Sequence, residues 1–346
     1  MWFYVAVAME KRVLLKDIAQ KVGVSTALVS YVLNNQKENR ISKEIAQKIR
    51  DTATRLNYRP NQIAKSLKTN KTFTIGLIVA DIANAFFSTL ARIIEDEAEK
   101  SNYTVIFGSS DEMAERSQKL IDVLLDRHVD GLIIAPSENS EAQIKKLQER
   151  GIPLVLIDRY FPTLDVSYVG VNNYEAAYQC AVHLMETGRK KIGMVGFKTN
   201  LLHLQDRKKG FLKAMKDNGR TLPKSQIREV QLDAAKEEVE ESIQQLLQGP
   251  EPVDALFFAS NKLSTFGLKY INRLALRVPT DLALCSFDQS DATELFYASL
   301  THIRQPLHEI GQQAVQLLLQ DMSKGTGSKQ LHLPAELVVA QSTGNG

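Results

Sequence analysis

Cysteine, tryptophan and long apolar runs are all scarce in this chain. Its two cysteines, Cys180 and Cys285, lie far apart in apolar surroundings. They fit neither a metal-ligand spacing nor a disulfide framework, so both are expected as reduced, buried thiols of a cytoplasmic protein. No apolar run approaches the ~18 residues of a membrane span. The opening MWFYVAVAM is too short for a signal segment and lacks its flanking charge and cleavage site, and Met9 is an alternative start to Met1. Motifs of catalysis are also missing. No G-x-G-x-x-G follows a strand, no phosphate-loop lysine is present, and GMVGFKT lacks the spacing for either. The six histidines are scattered without H-E-x-x-H or any paired metal spacing. No metal, no cofactor and no enzymatic activity are expected.

What is present begins at Leu15. The stretch LKDIAQKVGVSTALVSYVLN places Ile18, Val22, Val24, Val29 and Val32 at helical spacing around Ala19 and Gly23. Two short helices crossing at roughly 90–120° need this pattern. A small Ala19 permits close approach, Gly23 takes the positive φ of the turn, and Ser25 caps the second helix. A third helix starts near Ser42, carries Ile45, Ile49, Ala53 and Leu56 on one side, and stops before Pro60. Charge agrees with a nucleic-acid partner. Residues 1–72 hold 14 Lys/Arg and 5 Asp/Glu for a net +9, the remainder 29 and 35 for a net −6, which together give the overall +3. Basic charge gathered at one end releases counterions from phosphates on binding.

From residue 73 the pattern changes. Apolar runs TFTIGLIVAD, TVIFGSS, GLIIAPS and PLVLID alternate with helical stretches, and YVGVN, KIGMVGF, REVQLD, ALFFAS and LALCSFD form a second series. Continuous aliphatic strands between helices predict parallel sheets covered on both faces, here two doubly wound lobes. The fold class is α/β with an all-α helix-turn-helix headpiece. The expected domains are 1–58 for DNA binding, a linker at 59–72 and the α/β part at 73–346. Within the last, one lobe takes about 73–165 plus 302–325 and the other about 166–301 plus 326–346. No internal repeat is visible in the sequence. A ligand crevice belongs at the carboxyl ends of the strands, where Asp81, Asn84–Phe87, Ser110, Asp111, Asp158 and Arg159 fall.

These residues carry a resemblance. KDIAQKVGVSTALVSYVLN, LNYRPNQIAKSLKTNKTFTIGLIVADIANAFFSTL, VDGLIIAP, IPLVLIDR, HLMETGRKKIGMVG, DRKKGFLKAM, LALCSFDQS and LTHIRQPLHEIGQQA stand in order along nearly the whole chain. The chain resembles the lactose-repressor/galactose-repressor (LacI/GalR) family of bacterial transcription regulators. The resemblance implies a cytoplasmic, nucleoid-associated homodimer on a pseudo-palindromic operator, with a periplasmic-binding-protein-like (type I) effector domain. It implies that the 59–72 linker is a hinge and that 73–346 serves effector binding and dimerisation. It also implies base-reading roles for Thr26, Ala27 and Tyr31. Many relatives have Arg where Tyr31 stands, so a bidentate guanine contact is lost and the half-site differs. Ser25, Ser30, Asn34 and Lys43 are candidates for phosphate contacts. In the hinge the resemblance implies that Asn61 caps or touches backbone, that Ala64 lets the paired hinge helices approach closely, and that Leu67 is the minor-groove wedge.

For the effector the resemblance brings in Arg207, Asn261, Asp288 and Gln305, with Phe86 or Phe87 as an aromatic face. Lys262 replaces an Asp common among relatives; it either pairs with Asp288 or favours an anionic ligand. The function implied is repression of carbohydrate-utilisation genes under control of a small sugar or sugar derivative. The alternatives are a corepressor-dependent regulator of non-sugar metabolism, a two-lobed solute-binding protein, or an architectural DNA-binding protein without sequence preference.

Overall fold

A computed structural model describes residues 13–36, 40–58, 71–220, 222–232, 236–325 and 327–344. The chain separates into two compact units, Met1–Thr72 and Phe73–Gly346.

Among its described residues the first unit holds three helices: α1 (Leu15–Val22), α2 (Thr26–Leu33) and α3 (Lys43–Arg55). Gly23 ends α1 in the left-handed region at φ 78°, and its N–H bonds the Ala19 carbonyl. Ser25 Oγ then accepts the Leu28 N–H at 3.2 Å, and Ser42 Oγ accepts the Ile45 N–H at 3.3 Å, so α2 and α3 both start on a hydroxyl cap. The three helices close over Ile18, Ala19, Val29, Val32, Ile49 and Ala53. Ile18, Val29 and Ile49 are fully buried, each contributing about 2 kcal/mol of transfer free energy. Ile45, expected on the inner face of α3, is instead exposed; it sits in the first turn, beyond the edge of this small core.

The second unit opens with β1 (Thr74–Val79), α4 (Ala85–Glu99), β2 (Thr104–Ser109), α5 (Ala114–Asp126), β3 (Gly131–Ile134), α6 (Glu141–Glu149), β4 (Leu154–Ile157) and β5 (Ser167–Val171). It continues through α7 (Asn173–Glu186), β6 (Ile192–Phe197), α8 (Leu202–Asp217), β7 (Ile227–Val230), α9 (Lys236–Gln248) and β8 (Ala255–Phe258). Then follow α10 (Asn261–Ile271), β9 (Ala283–Phe287), α11 (Asp291–Leu295), β10 (Thr301–Arg304), α12 (Leu307–Lys324), β11 (Gln330–Leu333) and β12 (Glu336–Val338). The strands form two six-stranded sheets, β11-β5-β4-β3-β1-β2 and β12-β10-β9-β8-β6-β7. All pairings are parallel except that of β10 with β12. Alternate residues of β1 show why its run is continuously apolar. Ile75, Leu77 and Val79 bury on one face and Ile78 on the other.

Three features depart from the sequence reading. First, β5 pairs with β4 and β11 pairs with β5, so residues 167–171 and 330–333 lie in the first sheet, while β10 lies in the second. The expected lobe boundaries, 166–301 plus 326–346 for the second lobe, are corrected accordingly. The β4–β5 connection contains no helix, which made β5 look like the start of a new series. QLHLPAELVVA likewise breaks at Pro334, sending β11 to one sheet and β12 to the other. Second, both sheets have the same strand order, with β1, β2, β3, β4, β5 and β11 matching β6, β7, β8, β9, β10 and β12, although β11 runs parallel to its neighbour and β12 antiparallel. This repeat is one of strand order and is not written in residue identities. Third, Cys180 on α7 and Cys285 on β9, expected as separate thiols, are joined as a disulfide inside the core, both fully buried. Packing of α7 on the second sheet brings them together, which no spacing along the chain reveals.

Gly210 on α8 faces α7 so closely that a Cβ there would collide with the Tyr174 carbonyl. No helix among the described residues is long and apolar enough to cross a membrane.

Candidate functional sites: a basic helical unit and an interlobe cleft

On the first unit, helix α2 buries Val29 and Val32 and turns Thr26 and Ala27 outward, with Ser25 exposed just before them. Ser30 and Tyr31 are half-buried on the flank of the helix, and Lys43 is exposed at the start of α3. Asn34 donates its amide to the Ser30 carbonyl at 2.8 Å and to Ser30 Oγ at 3.3 Å, closing the end of α2. Asn61, Ala64 and Leu67 lie outside the described residues.

In the second unit the carboxyl ends of both sheets face one cleft with a cavity of about 80 Å³, room for several waters or one small polar molecule. Eleven of the twelve predicted effector residues line it: Asp81, Asn84, Phe86, Phe87, Asp158 and Arg159 from the first lobe, and Arg207, Asn261, Lys262 and Asp288 from the second, with Gln305 just after β10. Asp111 does not. Its carboxylate turns away to Ser109 Oγ at 2.6 Å and to Arg116. The next residue, Glu112, enters the cleft instead, because both residues adopt positive φ and the chain reverses there. Ser110 is also not a cleft residue; its buried hydroxyl contacts Ser137 Oγ and the Val79 carbonyl. Phe197, His203, Leu204, Leu232 and Ser260 complete the lining. None of these was expected, although the position of His203 one turn before Arg207 on α8 was a usable signal.

Two arginines organise the floor. Arg159 is chelated by Glu112, with Nη1 to Oε2 at 2.6 Å and Nη2 to Oε1 at 2.7 Å, and its Nε reaches Asp158 Oδ2 at 3.3 Å. Arg207 donates Nε to Asn173 Oδ1 and Nη1 to the Ala259 carbonyl, both at 2.8 Å. Its guanidinium lies 3.5 Å above the Phe287 ring and 3.6 Å from Asp288 Oδ2. Gln305 Nε2 donates to Asp288 Oδ1 at 2.5 Å. Asp158 and Asp288 are counterparts in the two lobes. Each follows its strand at positive φ, 63° and 73°, and each donates its N–H to the neighbouring strand, at Val169 and Ile303. The expected Lys262–Asp288 pair is not formed: Asp288 is taken by Arg207 and Gln305, and Lys262 Nζ donates to the Leu232 carbonyl at 3.2 Å.

Burial sets the protonation behaviour. Desolvation lifts Asp158 to about 6, although Arg159 and Arg207 pull the other way. Desolvation, reinforced by the same two guanidinium charges, holds His203 well below its usual value, so its imidazole is neutral near pH 7. His203 Nδ1 and Gln305 Oε1 are buried without a hydrogen-bond partner.

Two contacts bridge the lobes. Asn84 caps α4 through the Phe86 N–H, and its Oδ1 also accepts from Asn261 Nδ2 at 2.7 Å. Glu138 Oε1 provides a second bridge between the lobes, accepting the Asn200 N–H at 2.7 Å.

A basic helix-turn-helix unit followed by a two-lobed unit with a polar cleft defines a DNA-binding regulator carrying a small-molecule sensor fold. Residues 14–61 match the bacterial regulatory proteins of the lacI family. Residues 72–341 match the periplasmic binding proteins and sugar binding domain of the LacI family. The chain therefore belongs to the LacI family of bacterial transcriptional regulators. It is 30% identical to catabolite control protein A of Priestia megaterium over 94% of this chain and 98% of that protein. It is 31% identical to the transcriptional repressor CytR of Escherichia coli over 95% and 96% of the two chains. The lac repressor dimer bound to operator and the anti-inducer ONPF shares the fold, with a TM-score of 0.85 at 23% identity over 96% of this chain and 99% of that one.

Proposed function

We propose that this regulator is a cytoplasmic homodimeric repressor of carbohydrate-utilisation genes, and that a sugar or sugar derivative bound in the interlobe cleft changes its affinity for a pseudo-palindromic operator. The carrying observation is the cleft itself. Carboxylates, guanidinium groups and amides converge from both lobes beside Phe86 and Phe87, whose rings meet edge to face at 4.9 Å. Planar polar groups next to an aromatic face suit a ligand bearing many hydroxyls. The name of one relative points the same way, a ribose operon repressor of Halalkalibacterium halodurans.

In this reading Thr26, Ala27 and Tyr31 contact bases, while Ser25, Ser30, Asn34 and Lys43 contact phosphates. In the hinge, Asn61 contacts backbone, Ala64 allows close packing, and Leu67 wedges into the minor groove. The cleft residues Asp81, Asn84, Phe86, Phe87, Asp158, Arg159, Arg207, Asn261, Lys262, Asp288 and Gln305 hold the effector. The effector acts by linkage. It favours one relation between the lobes, and its control over DNA cannot exceed its differential affinity for the two states. Selection of genomic fragments on the full chain, followed by footprinting with and without a sugar panel, tests the proposal. One or more palindromic sites whose occupancy changes with a sugar are expected; binding no tighter than to scrambled DNA overturns it. Leu67→Ala is expected to weaken specific binding far more than nonspecific binding, and equal losses would remove the wedge.

A further inference from the structure

The charges in the cleft do not cancel uniformly. Glu112, Asp158 and Asp288 are each held by Arg159 or Arg207. Asp81 accepts the Ala83 N–H at 2.9 Å and stands on the first lobe. Lys262 stands on the second lobe, with a backbone carbonyl as its hydrogen-bond partner and the Phe197 ring 6.0 Å from Nζ. No carboxylate among the described residues lies within ion-pair distance of it.

Its location is also electrostatically unfavourable for a cation. Ser260 caps α10 by accepting the Leu263 N–H at 3.4 Å, and Lys262 sits in the first turn, where no acidic residue is present. The amides of a first turn have no partner within their helix, and the positive end of the helix dipole repels an ammonium group. That same end attracts an anion. A second observation on this wall points to a ligand. His203, more than nine-tenths buried, lines the same cavity with Nδ1 unpartnered.

We infer that the effector carries an anionic group, a carboxylate or a phosphate, seated against Lys262 and the first turn of α10. Its hydroxyl-bearing part lies toward Asp81 and the arginine–carboxylate pairs. This rests on the cleft being the effector site. Such a ligand neutralises Lys262, uses the helix end that Lys262 opposes, and offers hydroxyl donors to the carboxylates of the first lobe. An uncharged sugar leaves the ammonium group uncompensated in the closed cleft.

The test is a thermal-shift and calorimetric comparison on the full chain. The probes are glucose, glucuronate, glucose 6-phosphate, ribose, ribose 5-phosphate and inorganic phosphate. At least one anionic sugar is expected to bind about tenfold or more tighter than its neutral parent, the value of one charge-assisted hydrogen bond. Lys262→Gln is expected to erase that preference, and Lys262→Arg to keep most of it. Preference for the uronate or for the phosphates identifies which anion the subsite takes, and either result supports the assignment. Neutral sugars binding as well as or better than their anionic forms, or a preference unchanged in K262Q, overturns it while leaving the cleft as the effector site. Binding by no probe overturns both.

Discussion

The side-chain amide of Asn261 donates to Oδ1 of Asn84 at 2.7 Å, joining the first turn of α10 to the cap of α4 across the cleft. The return bond from Asn84 Nδ2 to Asn261 Oδ1 is longer, at 3.4 Å. These two residues are 177 positions apart, so the contact exists only while the lobes are together.

Asn261→Ala removes both bonds without touching the α4 cap. It is expected to lower affinity for a cleft ligand about five- to tenfold, the value of one net hydrogen bond. Asn84→Ser keeps a capping hydroxyl and is expected to act similarly. Calorimetry on the two single variants and the double variant checks this, with the double costing little more than either single.

Asp158 titrates at about 6 in the folded chain and near 3.8 when exposed. Between these values the folded state binds the extra proton, so this residue makes stability fall as pH rises through that window and leaves it flat above. Asp158→Asn removes this dependence and is expected to raise unfolding free energy at pH 7 by about 3 kcal/mol. The check is the difference between wild-type and variant denaturation curves from pH 4 to pH 7. A variant less stable at pH 7 would show that the Arg159 and Arg207 contacts outweigh the desolvation.

Glu112 chelates a guanidinium that is 7% exposed. Glu112→Ala leaves Arg159 with Asp158 and the Pro136 carbonyl alone, and is expected to cost about 3 kcal/mol. Urea denaturation measures it. The conservative Glu112→Gln keeps one acceptor oxygen and is expected to lose less.

Gly23 has open space where a Cβ would go, so any cost of substitution comes from φ 78° alone. Gly23→Ala is expected to destabilise the three-helix unit by about 1 kcal/mol, and Gly23→Val by more. Denaturation of residues 1–72, followed by helical circular dichroism, separates the two if that unit folds alone. In the full chain the readout is DNA affinity at rising temperature.

Short-range physics made part of this molecule legible in its sequence. Ser25, Ser42 and Gly23 act within a few residues of themselves, and the apolar period places Ile18, Val29, Val32 and Ile49 correctly. Strand ends also marked the cleft, since Asp81 and Asp158 each follow an apolar run, whereas Asp288 came only with the family resemblance. What failed depended on the third dimension. Asp111 and Glu112 are adjacent carboxylates, and only the local reversal of the chain decides which one meets Arg159. Of the two readings of Lys262, only the pairing with Asp288 fails, because Arg207 and Gln305 already occupy that carboxylate and Lys262 donates to the Leu232 carbonyl instead. β5 was assigned to the wrong lobe because a helix-free connection between parallel neighbours breaks the usual alternation.

Chain passes between the two sheets three times: after Val171 into α7, after Arg304 into α12, and between Leu333 and Glu336. Neither half of the sensor is therefore a continuous stretch of polypeptide. A gene fragment ending anywhere between residues 172 and 330 leaves the first sheet without its β11 edge, so the halves must be inherited, synthesised and degraded as one object.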